Sequence, residues 1–425
     1  MKVLIVNTYD KWGAANSCLR LHKGLLKNGV DSFVLLRNKE KNISRTEVLK
    51  SQKQIISSFQ KVQNKFKRIL KEFKLLKEKT LSENDFFLRN RPKGLEAFSF
   101  PDSKFDITTC ELYDEADIIN LHWVAGFLDY SSFFEKNKKP VVWTLHDMNP
   151  FSGGEHYLEA YLGIDEFGFP IKRNLLEEEL RIAKKNTAIK IQALLKINNL
   201  TIVAPSEWLA DEARRSEVFK EKPVFCIPYG LDSEIYKPRD KNYSRGLLNI
   251  PKDKKVILFV ADSIDNNRKG FIFLKRAFEQ LSDPNLVLCA VGAKNDGLET
   301  IDNILQLDTI YDERLMGVAY SAADVFVIPS LMDNLPNTVL ESLMCGTPVI
   351  GFPVGGIPDM IQDGVNGFIT KEISVNSLVE SINKFLNNPC CFDEIEIRGN
   401  ALRKYDQKVQ SEKYIELFTS ILNNK

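Results

Sequence analysis

The strongest constraint on the fold is a repeated alternation of short apolar runs with stretches of helical periodicity. The run KVLIVN (residues 2–7) is followed by a turn-rich loop and a helix-period stretch that ends in glycine, and DSFVLLR then begins the next run. Continuous apolar strands of this kind are buried on both faces and are typical of parallel sheets covered by helices. The chain is therefore predicted to be an α/β protein.

The alternation occurs twice. A second series begins at KKVILFVADS (254–263), after the proline- and glycine-interrupted segment IPYGLDSEIYKPRDK. At 425 residues the chain is also too long for one core. We predict two doubly wound, Rossmann-like domains, 1–226 and 227–400, facing one cleft, with a C-terminal helix at 401–425 that crosses back to the first domain. Ligands of such sheets bind beyond the carboxyl ends of the strands.

Composition narrows the class of protein. A net charge of +1 with 44% hydrophobic residues is ordinary for a globular protein and gives no overall attraction to nucleic acid. The seven cysteines form no C-x-x-C pair, so neither disulfides nor a zinc site are predicted. The first apolar run is too short for a signal peptide, and no stretch approaches the roughly 20 apolar residues of a membrane span. We expect a cytoplasmic protein.

A basic helical insertion is predicted in the first domain at about 39–95. Between 39 and 79, apolar residues recur four and three apart while lysines fill the remaining faces. Such a helix fits an anionic membrane surface, a hairpin packed on the first domain, or pairing with another subunit, and membrane contact is favoured. The apolar positions are Ile55, Phe59, Val62, Phe66, Ile69, Phe73 and Leu76.

The stretch DNLPNTVLESLMCGTPVI follows the predicted strand DVFVIPS, and its helix is expected to begin near Pro336 or Asn337. The first backbone N–H groups of a helix have no internal partners and attract phosphate. Asn337, Thr338 and Val339 are therefore predicted to lie at a donor-binding helix start.

Two acids flank this helix start. Glu341, one turn in, is suited to accept hydrogen bonds from two adjacent hydroxyls of a ribose, and Asp333 to hold hydroxyls of a second ring. The alternative for an isolated acid is a solvated helix face. Two cations in NNRKGF, Arg268 and Lys269, precede another helix and are suited to neutralise a diphosphate; the alternative is a pair of solvated surface charges.

Three histidines lie near strand ends of the first domain. His146 and His156 lie in TLHDMNPFSGGEHY, and His122 ends another strand. A neutral imidazole at position 146 is suited to orient a hydroxyl or carry a proton. His122 either lines the cleft on the acceptor side or packs. The alternative for His146 is a buried core histidine.

Together these segments resemble retaining GT-B-fold glycosyltransferases of family 4 (glycosyl transferases group 1), of the exopolysaccharide or capsule type. The quoted stretch is similar to the family's E-x7-E signature. YSAADVFVIPS, GGIPDMIQDGVNGF, VAPSEWLA, IPYGLD and NRKGF resemble family segments in the same order. The resemblance covers nearly the whole chain.

The resemblance implies roles for the acids and for His146. Glu341 binds the ribose of the nucleotide, position 333 contacts the transferred sugar, and His146 approaches the ring of that sugar. This chain departs from the family at Asp333, which replaces the usual glutamate and is one methylene shorter.

The resemblance also implies that Lys269 neutralises the departing diphosphate. The family often has an arginine after the strand where this chain has Ala261 and Asp262, so Arg268 is expected to substitute. DKWGAANS (residues 10–17) resembles the family's glycine-rich first loop, which places Gly13 and Ala14 beside the acceptor and the diphosphate. This loop is not a G-x-G-x-x-G fingerprint, so a nicotinamide enzyme is not predicted.

The resulting hypothesis is a retaining glycosyltransferase that moves a sugar from a nucleotide-diphosphate sugar to a glycan or lipid-linked acceptor in surface polysaccharide synthesis. No D-x-D motif occurs, so no metal and no cofactor beyond the donor are expected. Nucleic acid is not an expected partner. We expect peripheral attachment of the protein to the inner face of the cell membrane. The alternatives are a nucleotide-sugar epimerase, a phosphorylase, or a non-catalytic sugar-nucleotide-binding partner.

Overall fold

The computed structural model describes residues 1–49, 82–92, 95–264, 266–293, 303–388 and 392–423. Most of the predicted basic helix, including all seven of its apolar positions, lies outside the described residues. None of the described helices has the length and apolar character needed to cross a bilayer.

The described residues form fifteen strands and thirteen α-helices. The strands are β1 (Lys2–Asn7), β2 (Asp31–Leu36), β3 (Thr46–Val48), β4 (Ile118–Leu121), β5 (Val141–Thr144), β6 (Tyr161–Ile164), β7 (Pro170–Lys172), β8 (Leu200–Ala204), β9 (Val224–Cys226), β10 (Lys255–Ser263), β11 (Leu286–Ala293), β12 (Ile304–Leu307), β13 (Val325–Ile328), β14 (Val349–Gly351) and β15 (Gly367–Ile369). The helices are α1 (Trp12–Lys27), α2 (Glu83–Asn90), α3 (Glu111–Glu115), α4 (Tyr130–Lys136), α5 (Glu177–Leu194), α6 (Glu207–Arg215), α7 (Lys241–Leu247), α8 (Phe271–Leu281), α9 (Glu313–Ala322), α10 (Asn337–Met344), α11 (Val375–Asn387), α12 (Glu394–Tyr405) and α13 (Gln407–Asn423).

Two parallel sheets organise the molecule. The first has the order β3-β2-β1-β4-β5-β8-β9 and the second the order β12-β11-β10-β13-β14-β15. In each sheet the strand order reverses beside the first strand of its series, β1 or β10. At such a switch point the loops diverge and leave a crevice. The prediction of an α/β GT-B architecture with two Rossmann-like domains is confirmed.

The continuous apolar strands follow from burial on both faces. In β1, Leu4 and Val6 pack into one layer of the first domain, while Val3 and Ile5 pack into the opposite layer. Each of these side chains is at most 1% exposed. Because successive side chains of a strand point to opposite faces, a strand covered on both sides favours apolar residues at nearly every position.

The insertion predicted from about residue 39 is wrong at 46–48. Those residues form β3, which extends the first sheet by parallel pairing of Thr46 with Val34 of β2. The free backbone edge of β2 takes this strand, whereas the pattern of lysines and apolar residues had predicted a basic helix.

The chain passes between the domains at Asp406. Ile397 and Tyr405 of α12 are buried in the core of the second domain, which therefore extends beyond the predicted boundary at 400. The next helix, α13, packs on α1 of the first domain. Tyr414 of α13 lies 2.8 Å, oxygen to oxygen, from the hydroxyl of Thr144 at the end of β5.

Candidate active site

A cavity of about 440 Å³ lies between the two domains, at the carboxyl ends of both sheets. The loops after β1 and β5 line it from the first domain. The loops after β10 and β13 and the start of α10 line it from the second. The predicted site residues in its lining are Gly13, Ala14, His146, His156, Arg268, Lys269, Asp333, Asn337, Thr338 and Glu341.

The helix in the acid-flanked stretch begins at Asn337, as predicted, and its N-cap, Pro336, makes no side-chain cap. The Asn337 side chain crosses to the first domain, where its Nδ2 donates to the Gly13 carbonyl at 3.2 Å and to the Ser17 hydroxyl at 3.0 Å. Val339 does not line the cavity, because its side chain is buried in the core of the second domain.

Gly13 lies in the first turn of α1 and Ala14 follows it along the cavity wall. A Cβ atom at Gly13 would meet only Asn337 Nδ2, at 3.7 Å, which is ordinary contact. Packing in this structure therefore does not by itself require glycine at position 13.

Glu341 is buried and bonded through both carboxylate oxygens. Its Oε1 accepts a hydrogen bond from Arg20 at 2.9 Å, and its Oε2 accepts one from the Tyr320 hydroxyl at 3.1 Å. Burial raises the pKa of Glu341, and the opposing charge of Arg20 offsets this only in part. The solvated helix face considered for this acid is therefore wrong.

Arg20 was not identified from the sequence. It lies on α1 of the first domain, is 5% exposed, and reaches across the cleft. Besides Glu341, its guanidinium donates to Glu313 at 2.5 Å, to Asn337 Oδ1 at 3.1 Å and to the Tyr236 hydroxyl at 3.0 Å. In the sequence it reads as one basic residue of an amphipathic helix, and all of these partners are more than 200 positions away.

Asp333 forms an ion pair with Lys269, whose Nζ lies 2.7 Å from Oδ2, and a longer one with Arg268 at 3.2 Å. Burial favours a raised pKa for Asp333. The two neighbouring cations outweigh it, so the pKa of the carboxyl is lowered and the carboxylate stays charged. The structure thus brings Lys269, Arg268 and Asp333 together, and the hypothesis of isolated surface cations is wrong.

Arg268 is held mainly by a residue that the sequence did not suggest. Its Nε donates to Glu96 of the first domain at 2.6 Å, and its Nη1 donates to the Met332 carbonyl at 2.9 Å. The guanidinium also lies over the Tyr157 ring, 4.9 Å from the centroid. Glu96 bonds Asn266 as well, at 3.0 Å, so it is a second contact across the cleft.

His146 and His122 form a buried pair. His146 Nε2 lies 2.9 Å from His122 Nδ1, and His146 Nδ1 lies 2.8 Å from the Tyr229 hydroxyl. Burial lowers the pKa of His146 to about 4, and burial with the nearby His146 lowers the pKa of His122 well below its usual value. His146 lines the cavity, whereas His122 packs behind it outside the lining. Both rings are therefore neutral near pH 7.

Asn334 ties the loop after β13 to the first domain. Its Nδ2 donates to the His146 carbonyl at 3.2 Å, and its Oδ1 accepts from Ser206 at 2.6 Å. His156 is fixed by Asp147, whose Oδ2 lies 2.6 Å from its Nδ1. In the described ranges, no group of three or more His, Cys, Asp or Glu side chains is arranged to hold a metal ion.

The fold and the cleft define the class: two Rossmann-like domains with the site between them, the GT-B architecture. Residues 240–408 match the family model Glycosyl transferases group 1, which supports the family resemblance for the second domain. This match includes Lys269, Asp333 and Glu341.

Two similar curated proteins carry the same name. D-inositol 3-phosphate glycosyltransferase of Streptosporangium roseum is 26% identical over 302 residues, covering 66% of this chain and 63% of that protein. The protein of the same name from Mycolicibacterium smegmatis is 27% identical over 215 residues, covering 48% of this chain and 44% of that protein. The chain thus spans less than two thirds of the length of these relatives.

Solved structures share the fold over the whole chain. Sucrose-phosphate synthase from Thermosynechococcus elongatus has a TM-score of 0.68 at 16% identity and covers 100% of both chains. Anabaena Alr3699/HepE, solved in complex with UDP and glucose, has a TM-score of 0.63 at 17% identity, covering 99% of this chain and 100% of that one. At these identities the likeness establishes the fold alone.

Proposed function

We propose that the protein is a glycosyltransferase that takes a sugar from a nucleotide-diphosphate sugar. One observation carries the proposal: the start of α10, Glu341 and Lys269 converge on one cavity between the two domains. The family match of the second domain and the names of the curated relatives support it. The UDP and glucose bound by the Anabaena protein agree with this donor class.

In the proposed complex, Lys269 and the uncapped N–H groups of α10 receive the diphosphate, because both present positive charge to the same space. Glu341 accepts the ribose hydroxyls while Arg20 and Tyr320 hold its carboxylate in place. Asp333 meets the transferred sugar, and neutral His146 orients one of its hydroxyls. As the sugar leaves, the ion pair between Lys269 and Asp333 weakens. Lys269 then stabilises the negative charge that develops on the departing diphosphate.

We extend the proposal to retention of the anomeric configuration and to acceptors of surface polysaccharide synthesis, on the family resemblance alone. The leaving phosphate then takes the acceptor proton on the face where the new bond forms. The charge of Lys269 and the start of α10 stabilise the diphosphate in place of a chelated metal. The segment at 39–79 is expected to bind an anionic membrane surface.

The test is to measure donor binding and turnover in Lys269→Ala and Glu341→Gln. Wild type is screened by thermal shift against uridine, guanosine and adenosine diphosphate sugars, since a ligand that binds the native state raises its Tm. With the stabilising donor, we expect Lys269→Ala to lower kcat by about 10²–10³ through loss of a preorganised charge. Glu341→Gln is expected to raise the donor KM.

Lys275→Ala is the matched control, because Lys275 lies on α8 outside the cavity lining. Full transfer activity in both site variants contradicts the site assignment. Incubation with donor alone separates the alternatives, since an epimerase changes the sugar without acceptor. A wild-type protein that binds a donor and never releases its sugar points to the non-catalytic binding partner.

A further inference from the structure

The wall that the first domain contributes to the cavity is aromatic. Tyr9, Trp12, Trp123 and His156 all line it, and we call them the aromatic strip. Their ring centroids follow one another at 5.2 Å from Trp12 to Tyr9, 5.8 Å from Tyr9 to Trp123 and 5.4 Å from Trp123 to His156. None of the donor roles proposed above uses this strip.

Trp12 is displayed at the mouth of the cavity. Its side chain is 57% exposed, and its φ of 70° places it in the left-handed region, which is unfavourable for a bulky residue. Large apolar side chains are ordinarily buried. An exposed tryptophan held on unfavourable backbone beside a cavity indicates a surface that is kept for a ligand.

The deeper part of the strip is fixed by hydrogen bonds. Trp123 Nε1 donates to Asp147 Oδ2 at 2.8 Å, and the same carboxylate oxygen holds His156. The backbone N–H of Trp123 donates to Asn7 Oδ1 at 2.9 Å. These rings are therefore preorganised, which reduces the entropy lost when a ligand packs on them.

The charge around the strip disfavours an anionic acceptor. Among the described residues, the cations lining the cavity are Lys11, Arg268 and Lys269. The last two belong to the second domain and pair with Asp333. Lys11, on the first-domain side, forms an ion pair with Glu40. Asp147 adds negative charge directly behind the rings.

We propose that the aromatic strip is the acceptor platform of the enzyme and takes a neutral oligosaccharide of two or more sugar rings. This inference rests on the proposed function. The faces of a pyranose ring carry C–H groups that pack on aromatic rings, while its hydroxyl edge remains free for polar groups such as Asn16. His156 stacks on Trp123 and is only 4% exposed, so the accessible part of the strip is Trp12, Tyr9 and Trp123. These three rings follow one another at 5.2 and 5.8 Å, which is longer than one sugar ring. The curated relatives, by contrast, are named for a phosphorylated inositol.

The experiment compares neutral and phosphorylated acceptors on the full chain. An array of neutral di- to tetrasaccharides and D-inositol 3-phosphate is screened for binding, and the ligands found are offered as acceptors with the stabilising donor. We expect neutral oligosaccharides to bind, and Trp12→Ala to raise their KM about tenfold while leaving the donor KM unchanged. Trp12→Phe keeps a ring and is expected to retain most of the affinity.

Tyr243→Ala is the control, since Tyr243 is an exposed aromatic residue on α7 outside the cavity lining. Any one of three results overturns the acceptor platform. The protein prefers D-inositol 3-phosphate, it binds no neutral oligosaccharide, or the acceptor KM is unchanged in Trp12→Ala.

Slow hydrolysis of the donor without acceptor reports on the donor site separately. If the donor is hydrolysed and the acceptor results fail, the strip is wrong and the proposed function stands. If no donor binds while oligosaccharides do, the proposed function fails.

Discussion

Glu341 and Asp333 are both buried carboxylates, yet their surroundings act in opposite directions. Asp333 has two cations against one carboxylate oxygen, which lowers its pKa. Glu341 shares Arg20 with a second acid, Glu313, and burial raises its pKa. Asp333, the acid expected to meet the sugar, therefore stays ionised. Glu341, the acid expected to meet the ribose, depends on its ion pair with Arg20 to be ionised.

The neutral histidine pair predicts a pH dependence of stability. The pKa of His146 is lowered from 6.5 to about 4 by burial. Between those values the unfolded chain binds a proton that the folded protein does not, so the free energy of unfolding falls as the pH is lowered from about 6.5 to about 4. For His146 this loss is about 3 kcal/mol. Urea unfolding at several pH values measures it.

His146→Gln removes that proton while keeping a side chain able to bond Tyr229. We expect its free energy of unfolding to approach that of wild type as the pH falls toward 4, with the remaining slope due in part to His122. Parallel stability curves for the two proteins between pH 4 and 6.5 would show that burial does not suppress protonation of His146.

At the scale of elements, the position of Lys269 depends on the close approach of two loops. Gly270, between Lys269 and α8, has a φ of 68°, and a Cβ at this position would lie 1.9 Å from the Pro329 carbonyl oxygen. The backbone N–H of Leu331 donates to the Arg268 carbonyl at 2.7 Å across the same contact. The loops after β10 and β13 therefore pack backbone to backbone, which only glycine permits here.

Gly270→Ala is expected to separate these loops and to move Lys269 away from Asp333. The positive φ and the clash together predict a loss of at least about 1–3 kcal/mol in the free energy of unfolding, together with weaker donor binding. Chemical unfolding and the donor-induced thermal shift measure the two effects.

The matched control is Gly246→Ala on α7, where the nearest atom to a new Cβ is 3.8 Å away. This change is expected to be neutral or to stabilise by up to about 1 kcal/mol, because alanine suits a helix better than glycine. Equal effects of the two substitutions would refute the role assigned to the loop contact.

At the scale of the whole molecule, ion pairs of both polarities join the domains across the cleft. Arg20 of the first domain bonds Glu341 and Glu313 of the second, and Glu96 of the first bonds Arg268 of the second. Arg20, through Glu341, and Glu96, through Arg268, each engage a group expected to bind the donor. Closure of the cleft and formation of the donor site are therefore coupled through the same side chains.

Arg20→Ala is expected to open the cleft and weaken donor binding. It leaves Glu341 buried without its cation, a change that costs about 3–5 kcal/mol when both partners are buried. Small-angle X-ray scattering is expected to give a larger radius of gyration than for wild type, and titration a weaker donor Kd. Arg214→Ala, an exposed arginine on α6, is the control. An unchanged radius of gyration and an unchanged Kd in Arg20→Ala would contradict this coupling.

The sequence was most informative where neighbours along the chain decide the structure. The apolar runs predicted the central strands, because burial on both faces favours a continuous run of apolar residues. Proline at position 336 predicted the start of α10. Conversely, β3 and β12 were missed, because β3 is an edge strand with charged neighbours and β12 has only half-buried residues.

The candidate site divides in the same way. Lys269, Asp333 and Glu341 were predictable because each lies at the end of a strand or the start of a helix, and the structure brings them to one cavity. Arg20, Glu96 and the aromatic strip were not recognised. The partner of Arg20 lies up to 321 positions away in the chain, and the rings of the strip come from different loops of the first domain, so no local pattern records these contacts.

The amino-acid sequence alone therefore determined the two parallel sheets and the strand ends where chemistry is expected, because hydrophobic periodicity and helix starts are local properties. Only the tertiary structure decided which charges neutralise one another across the cleft and which aromatic rings face it. The physical reason is that the ion pairs depend on the packing of one domain against the other and the ring contacts on the packing of different loops of the first domain, so both bring together residues that are distant in sequence.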